Sequence, residues 1–491
     1  AGHNVTMTAD DEVGSIKISG TITGGGNTLT VNRASSNKPF DNDGTISGDL
    51  NVTITNTGAQ QDDLLLDAMG SSGNINDLTL NLANGTTANK TVSIASATTI
   101  DGNLTITSGT FDTVFDGGSS VQLIVEGGVS GAGTLTTNAS EVSFGYLIMS
   151  GTYNATTHAN GTILTDRSGP GAQLLMDAAD IVHNDGLFVF KGSSGGSSYC
   201  ALNGASDATN GLYNVEIDAS SRTVNIATYA LTIHNNLTVT AGTFNTDASN
   251  DWSLTVGGDI HIDGTLTGNE STISGRSVHI DGTFTHDGAL TCTGIASTNY
   301  AFQNLGTWTP GTSQTTTFSG DGAGTYHIKS NDWNNVVLNA AGENYYLRPK
   351  TGTGITFVGY LTVTDGSLYQ NSNSDSWAVT GAVTINGGRI GLSTGDGDLS
   401  FGSLTIASGA TYYATSGTTT LNGNFTMSSD TSTFTHNSGT VEIAGNCELL
   451  PADFDSSETA RHVFNNVTHT AGTFYLERPS KIEGNFTKSG G

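Results

Sequence analysis

The chain has few charges, few cysteines, few prolines and no long apolar runs. Only 12% of its 491 residues are charged, and 16 Lys plus Arg against 44 Asp plus Glu give a formal net charge of −28. This balance repels nucleic acid and offers no basic stripe for phosphate, so we expect no nucleic-acid partner. No window of 18 apolar residues occurs, which predicts no membrane insertion. Three cysteines without metal-ligand spacing predict buried thiols rather than a disulfide framework.

What the chain has instead is glycine, threonine and asparagine. It contains 66 Gly against 6 Pro. Thr, Val, Ile, Phe and Tyr favour strands, and Gly, Asn and Asp favour the turns between them. Short alternating segments such as LTVT at 361–364 place apolar side chains on one face of a strand. The composition therefore predicts an all-β protein.

Long repeats divide the chain. The segment DGNLTITSGTF at 101–111 recurs as HNNLTVTAGTF at 234–244 and as VGYLTVTDGSL at 358–368. These copies predict repeats of about 120 to 140 residues. The predicted boundaries, all within one continuous solenoid, are N-terminal coils at 1–76, long repeats at 77–213, 214–334 and 335–465, and the start of a truncated fourth repeat at 466–491. Because this last repeat stops within a coil, we expect an open strand edge that continues into a longer chain or self-associates.

A shorter period of about 18 to 24 residues runs inside each long repeat and is marked by glycines such as Gly242, Gly264 and Gly282. Coils of this size bury their apolar face only when they are stacked. We therefore predict a parallel β-solenoid with a right-handed coil, and tandem β-sandwich domains are the alternative. Extra residues in the longer coils predict side loops at 154–171, 192–210, 319–332 and 450–460.

Three phrases carry a resemblance: GNLTITSGTF at 102–111, NGNFTMSS at 422–429 and FTHNSGTVEI at 434–443. They resemble repeats of large extracellular β-solenoid proteins of microbes and their viruses, which include adhesins, surface filaments and phage fibres or tailspikes. The resemblance implies an extracellular, cell-surface or virion-surface location. Its motifs specify a coil and no activity, and the fold also hosts polysaccharide lyases and hydrolases.

One pair of coils predicts a metal site. The segments IHIDG at 260–264 and VHIDG at 278–282 stand in the same position of two successive coils. His261 should therefore stand over His279, and Asp263 over Asp281, with all four side chains facing outward. Such a cluster suits Zn²⁺ or a similar cation, and a solvated polar ladder is the alternative.

Other candidate sites are weaker. Ca²⁺ is a second candidate ion, with DNDG at 41–44 as half of a calcium loop. The carboxylate pairs Asp62 with Asp63 and Asp396 with Asp398 are candidates for acid catalysis, although neither stands in a recognisable catalytic constellation. Trp308 and Trp333 lie in or beside irregular segments and are candidates for stacking on a sugar ring.

These observations predict a non-enzymatic structural or adhesive β-solenoid, a component of a fibre, filament or virion appendage that presents side loops. No cofactor is required for such a role. Cell-surface glycans are the expected external partners. The alternative is a carbohydrate-active β-helix of the tailspike type, which binds or cleaves surface polysaccharide.

Overall fold

The computed structural model describes sixteen stretches of the chain: 4–33, 38–56, 64–67, 72–83, 90–165, 171–192, 196–204, 209–247, 249–294, 299–320, 324–352, 354–391, 394–429, 431–450, 462–476 and 480–491. Within these stretches the regular structure is β-strand, apart from one 3-10 turn at Ala178–Asp180. Contacts divide the chain into two compact units, Ala1–Thr255 and Val256–Gly491. The boundaries of the long repeats stay a prediction.

The first unit is built of short strands. Their bounds are Val5–Thr6, Asp11–Val13, Ile16–Ile18, Thr21–Thr23, Thr28–Arg33, Phe40–Asn42, Thr45–Ser47, Asn51–Asn56, Leu64–Asp67, Leu78–Asn81, Thr91–Ile94, Thr98–Ile100, Leu104–Ser108, Thr110–Asp112, Leu123–Gly131, Thr134–Thr136, Val142–Met149, Tyr153–Asn154, Thr162–Leu164, Gly171–Asp177, Ile181–Val182, Leu187–Lys191, Gly196–Asn203, Asn214–Ile226, Leu231–Ile233 and Leu237–Asn245. Strand Leu254–Val256 spans the boundary between the units.

The second unit has the same construction. Its strands are Asp259–Ile262, Thr265–Thr267, Ile273–Gly275, Ser277–Ile280, Thr283–His286, Ala289–Cys292, Tyr300–Asn304, Thr307–Pro310, Thr315–Phe318, Thr325–Lys329, Asp332–Trp333, Asn335–Arg348, Gly354–Phe357, Leu361–Gln370, Ser376–Ile385, Arg389–Ile390, Leu399–Ile406, Thr411–Tyr413, Thr418–Leu421, Phe425–Met427, Thr433–Thr435, Thr440–Ile443, Cys447–Leu450, His462–Phe464, Asn466–His469, Phe474–Leu476, Ser480–Ile482 and Phe486–Lys488.

Each unit is a parallel β-solenoid, as predicted. In the first unit, one sheet takes a strand from each of eight successive coils, from Ile16–Ile18 to Ile181–Val182. The named strands pair in parallel, and equivalent residues return one coil later with the same face inward. Sandwich domains would need antiparallel hairpins, so the alternative of tandem sandwiches is wrong. The right-handed sense of the coil stays a prediction.

Alternation of apolar and polar residues decides which side chains form the core. In strand Leu104–Ser108, Leu104 and Ile106 are fully buried, and Thr105 between them points outward. The β-branched residues of such strands pack well on a pleated surface that is buried on one side. The stacked coils bury together an apolar face that a single coil would leave exposed.

Coil length varies more than the sequence predicts. Val5 stacks on Ile22 after a short coil, whereas Tyr153 stacks on Ile181 after a much longer one. One long strand, Val142–Met149, pairs with two separate strands of the next coil, Thr162–Leu164 and Gly171–Asp177. Extra residues are therefore inserted between strands, which leaves the stacking of the strands intact. The predicted side loop at 154–171 contains strand Thr162–Leu164. The predicted loops at 192–210 and 319–332 are wrong where strands Gly196–Asn203 and Thr325–Lys329 lie in them, because alternation carries Cys200 and Tyr326 into the core. Most of the predicted loop at 450–460 lies outside the described residues.

A side-chain hydrogen bond recurs at the start of many strands. The side-chain oxygen of Asp77 accepts the backbone N–H of Asn103 at 2.7 Å, and that of Asn103 accepts the backbone N–H of Gly128 at 3.1 Å. In the second unit, Asn466 accepts the N–H of Asn485 at 2.9 Å in the same way. Further members of this asparagine ladder are Asn51, Asn214, Asn335, Asn424 and Asn446. Each bond joins equivalent positions of adjacent coils, so the ladder fixes their register.

The glycines of the short period are required by close approach between coils. A Cβ atom on Gly151 would lie 2.0 Å from the carbonyl oxygen of Gly133, one coil earlier. A Cβ on Gly282 would lie 2.1 Å from the carbonyl oxygen of Gly264. Since any side chain would collide with the backbone below it, these positions accept only glycine without a shift of the coil.

The three cysteines are buried and unpaired, as predicted. They lie on inward positions of strands Gly196–Asn203, Ala289–Cys292 and Cys447–Leu450. Burial raises the pKa of the Cys200 thiol to about 12 and that of Cys447 to about 11, and it raises the pKa of Cys292 further. The thiolate form is therefore suppressed at all three positions.

Removal of one member of the asparagine ladder should destabilise the first unit. Asn103→Ala deletes the acceptor of the Gly128 N–H and of the Tyr146 hydroxyl, which donates to the same oxygen at 3.1 Å. We expect a loss of about 1 to 3 kcal/mol in the free energy of unfolding, because part-buried donors lose their partner. Denaturant unfolding measures this change. The matched control is Thr79→Ala, an outward residue of the neighbouring strand, and an equal loss in both variants would contradict the role of the ladder.

Stability should fall as the pH falls below about 6.5, the ordinary pKa of histidine. Burial lowers the pKa of His286, which is 3% exposed and stacks on Phe284. The unfolded chain then takes up a proton at a higher pH than the folded chain, so acid favours unfolding. His286→Leu should reduce the difference between urea midpoints at pH 7.5 and 5.5. Phe401→Leu, a buried control of the same unit without a titrating group, should lower both midpoints and keep the wild-type difference. An unchanged difference in His286→Leu would refute the assignment.

Candidate functional site

The predicted metal ligands lie together in the second unit: His261, Asp263, His279 and Asp281. Strands Asp259–Ile262 and Ser277–Ile280 pair in parallel with His261 directly opposite His279, which confirms the predicted register. The isoleucines that flank His261 point into the core. Alternation along the strand therefore turns both imidazoles outward.

Three of the four side chains aim donor atoms at one point. The Nε2 atom of His261 lies 3.2 Å from Oδ2 of Asp281, and Nε2 of His279 lies 3.1 Å from the same oxygen. The donor atoms of these three residues all lie within 4.8 Å of one another. We call this group the histidine–aspartate cluster. Asp263 stands at its edge, where its carboxylate contacts Nε2 of His261 at 3.2 Å.

The two imidazole rings are stacked. Their centroids are 4.6 Å apart and their planes differ by 8°. The rings are partly exposed, at 43% for His261 and 28% for His279, so solvent and ions reach the cluster from one side. Two adjacent carboxylates make the surroundings favourable for a cation.

A neighbouring ion pair holds the same two strands. Arg276 donates to both carboxylate oxygens of Asp259, at 2.9 and 2.6 Å, and the hydroxyl of Ser277 donates to Asp259 at 2.8 Å. This two-pronged contact joins adjacent coils and lies close to the stacked histidines along the same strands. The two histidines of the cluster therefore lie on paired strands, and Asp281 follows directly after the end of the second strand.

The prediction that Trp308 and Trp333 stack on a sugar ring is wrong. Trp308 is 6% exposed and Trp333 is 1% exposed. Trp308 packs between Phe284 and Phe302, with ring centroids at 4.8 and 5.4 Å, and Trp333 packs on Phe302 at 4.8 Å. Both indoles occupy inward positions of strands, so neither face is open to a sugar ring. They belong to the aromatic part of the core.

A different row of four aromatic side chains includes three that are partly exposed. Tyr300, His327, Tyr346 and Tyr369 occupy equivalent positions on four successive coils. Neighbouring ring centroids lie 5.5, 5.7 and 5.1 Å apart, and the planes are tilted by 45 to 48°. The first three rings are half-buried, and Tyr369 is buried at one end of the row. We call this row the aromatic surface.

Basic side chains flank the aromatic surface in a chain that is otherwise acidic. Arg348 donates to the Tyr300 hydroxyl at 2.9 Å and to Asn371 at 2.6 Å, and it pairs in register with Lys329. Arg389 contacts Tyr369, with its guanidinium carbon 4.9 Å from the ring centroid. The positive charge of Arg348 and burial together lower the pKa of His327, and burial is the larger cause.

Sequence reasoning missed the aromatic surface because its members do not follow a period. Unequal intervals of the chain separate them, since the intervening coils differ in length. The histidine pair, in contrast, lies in two coils of nearly identical phrase. The sequence does carry one usable signal. In Tyr-His-Ile-Lys and Tyr-Tyr-Leu-Arg, alternation along the strand places the second and fourth residues, which are bulky and polar, on the outward face.

Of the candidate catalytic pair at 396 and 398, Asp398 uses its carboxylate structurally, and Asp396 is tied through its backbone. The Oδ1 atom of Asp398 accepts the backbone N–H of Thr418, one coil later, at 2.8 Å. The backbone N–H of Asp396 donates to the carbonyl of Asn373 at 2.7 Å. These contacts match a coil-to-coil tie rather than an acid and base pair. Asp62 and Asp63 lie outside the described residues.

The carboxylates of the predicted calcium half-loop at 41–44 form ion pairs with a lysine. Lys17 Nζ lies 2.7 Å from Asp41 and 2.5 Å from Asp43, and Lys38 Nζ lies 3.8 Å from Asp41. The hydrogen bond and charge of Lys17 lower the pKa of Asp43. Because these carboxylates already face ammonium groups, they are poor candidates for a calcium ligand set.

Neither a search for membrane-spanning helices nor comparison with known proteins assigns a function to the chain. Among the residues that the structure describes, no helix has the length and apolar character needed to cross a bilayer. No protein-family model, curated protein or solved structure matches the chain.

Proposed function

We propose that the protein is a non-enzymatic, extracellular structural or adhesive β-solenoid, a component of a fibre, filament or virion appendage. The observation that carries this proposal is the use of polar side chains as ties between coils. The asparagine ladder, the Asp259–Arg276 pair and the Asp398 carboxylate all bind the neighbouring coil. A building element whose function is mechanical continuity needs this kind of contact.

Buried polar groups serve the same purpose. The carboxylate of Glu343 is 3% exposed and accepts the hydroxyls of Tyr326 at 2.8 Å and of Tyr345 at 3.3 Å. Tyr326 and Tyr345 stack on adjacent coils with centroids 4.6 Å apart. These bonds satisfy a group that would otherwise be costly to bury. The acidic composition, with few Lys and Arg, supports a location outside the cell.

A second candidate function, binding of an acidic surface polysaccharide, is favoured by the aromatic surface. Tyrosine rings provide apolar faces with polar rims, which suits contact with sugar rings. Lys329, Arg348 and Arg389 add positive charge that is rare in this chain. The arrangement supports binding rather than cleavage, because the aromatic surface presents rings and cations and no pair of carboxylates.

Incubation with capsular or cell-wall polysaccharide tests the absence of catalysis. We expect no release of reducing ends or of unsaturated products over that of the polysaccharide alone. Product release that disappears in Asp398→Asn would replace the structural proposal with the carbohydrate-active alternative. Release that persists in the variant would also contradict the proposal, and it would place the catalytic groups elsewhere in the chain.

Retention on immobilised polygalacturonate, a carboxylated polysaccharide, tests the second function. We expect retention that weakens with added salt, because exposed charges are screened. Tyr346→Ala and Arg348→Ala should each reduce retention several-fold, since they remove a ring and a cation from the centre of the surface. The matched control is Thr405→Ala, an outward residue of strand Leu399–Ile406. Equal retention of all four proteins would contradict a role for the aromatic surface.

A further inference from the structure

We propose that the histidine–aspartate cluster binds a divalent cation of borderline softness, of the Zn²⁺ class, which bridges two adjacent coils. The ligand atoms are Nε2 of His261, Nε2 of His279 and a carboxylate oxygen of Asp281. This proposal goes beyond the structural function, because a solenoid can stand without the ion. It assigns a chemical role to an outward surface, within the described residues, where two imidazoles converge on a carboxylate.

Two of the three separations between the donor atoms already match those that a metal imposes. Ligands at about 2.0 to 2.1 Å from a tetrahedral Zn²⁺ lie about 3.3 Å from one another. The two histidine nitrogens lie 3.2 and 3.1 Å from Oδ2 of Asp281. All three donor atoms fit within 4.8 Å. To place an ion between them, the imidazole rings have to turn from their nearly parallel stacking so that both nitrogens point at it.

Hydrogen bonding leaves one donor atom unused. The Nε2 atom of His261 is within hydrogen-bond distance of Asp281, with suitable geometry. The Nε2 atom of His279 is buried and makes no hydrogen bond, although it lies 3.1 Å from the same oxygen. A buried nitrogen that points at a carboxylate without bonding to it is costly in the metal-free state. A cation between the three atoms would satisfy it.

The strands keep the imidazoles in place before an ion arrives. His261 and His279 are Cα partners on parallel strands, and their rings are stacked at 4.6 Å. The isoleucines beside them are fixed in the core, and the Arg276–Asp259 pair ties the same strands together. Histidine ligands held on paired strands lose little freedom when they bind.

The donor set selects the type of ion. Two imidazole nitrogens and one carboxylate suit Zn²⁺, and they also suit Ni²⁺ and Cu²⁺. Ca²⁺ prefers six to eight oxygen ligands, and Mg²⁺ keeps most of its water. With three protein ligands, the remaining coordination position is left to solvent, on the side where the cluster is partly exposed. Asp263, which contacts only His261 in this group, lies close enough to orient that ring.

The bound ion would act as a clamp between coils. His261 and His279 occupy equivalent positions of successive coils, so a shared ion closes one complete coil. A ligand that binds the folded chain and not the unfolded chain raises the melting temperature in proportion to the logarithm of its concentration above Kd. Zn²⁺ should therefore stabilise the second unit, and a chelator should reverse the effect.

Calorimetric titration of the full chain with ZnCl₂, after treatment with a chelator and dialysis, tests the proposal. We expect a site in the wild type that weakens at least about tenfold in each of His261→Ala, His279→Ala and Asp281→Asn, because each removes a ligand. The matched control is His436→Ala. This outward histidine of the same unit lies 3.5 Å from a single carboxylate, that of Glu483, and its loss should leave the titration unchanged.

Two further measurements keep the result decisive. Co²⁺ bound to the wild type should give the intense visible absorption of a four-coordinate ion, and the His279→Ala protein should lose it. Melting temperatures measured in chelator should be similar in the wild type and the variants, which shows that the variants fold. Wild-type titrations that match those of the three ligand variants, or binding that excess Ca²⁺ abolishes, would overturn the proposal.

Discussion

The structure depends on a hydrogen bond from a backbone N–H to a side-chain oxygen of the equivalent residue one coil earlier. In a parallel stack the first N–H of a strand is easily left without a partner, and an asparagine or aspartate at that position supplies one. The bond joins equivalent residues of adjacent coils, so it forms whatever the number of residues in the coil between them. Coils of different length can therefore stand within one unit, because the register is set again wherever such a bond joins two coils.

The same residues explain why sequons are frequent in this chain. Asn51, Asn103 and Asn236 each begin an Asn-X-Thr phrase. Asn103 uses its side chain to accept from the next coil and to donate to Asp77, and the following Thr is an outward position of the strand. The pattern arises from the needs of the coil: an amide at the strand entry, an inward apolar residue and an outward β-branched residue. A glycan at Asn103 would compete with the ladder for the same amide.

Much of the fold was readable from the sequence because the relevant signals are local. Alternation in a strand such as Leu104–Ser108 fixes which residues are inward, and the repeated phrases at 260–264 and 278–282 fix that His261 stands over His279. Positions that depend on coil length were not readable. Trp308 and Trp333 lie beside irregular segments, yet short strands carry both into the core. The aromatic surface was hidden for the same reason, since unequal coils bring its rings together.

Charge is scarce in this chain, and several of its ion pairs join adjacent coils. Arg276 with Asp259 and Lys17 with Asp41 tie residues that are a coil apart. Such exposed pairs contribute little individually. The histidine–aspartate cluster and the aromatic surface differ from these pairs. In each of them, several polar side chains lie close together on one surface, in addition to joining adjacent strands. Both lie in the second unit, which makes that unit the part of the chain with the more distinctive chemistry.

The placement of the thiols has a consequence for biosynthesis. Cys200, Cys292 and Cys447 each sit in the core, and their raised pKa values keep them as unreactive thiols. Once the coils have closed, neither a disulfide exchange catalyst nor a small oxidant meets an accessible sulfur. A folded molecule can therefore pass through an oxidising compartment without scrambled or intermolecular cross-links. The vulnerable interval is the time before stacking, so the rate at which coils close determines how much of the protein escapes mispairing.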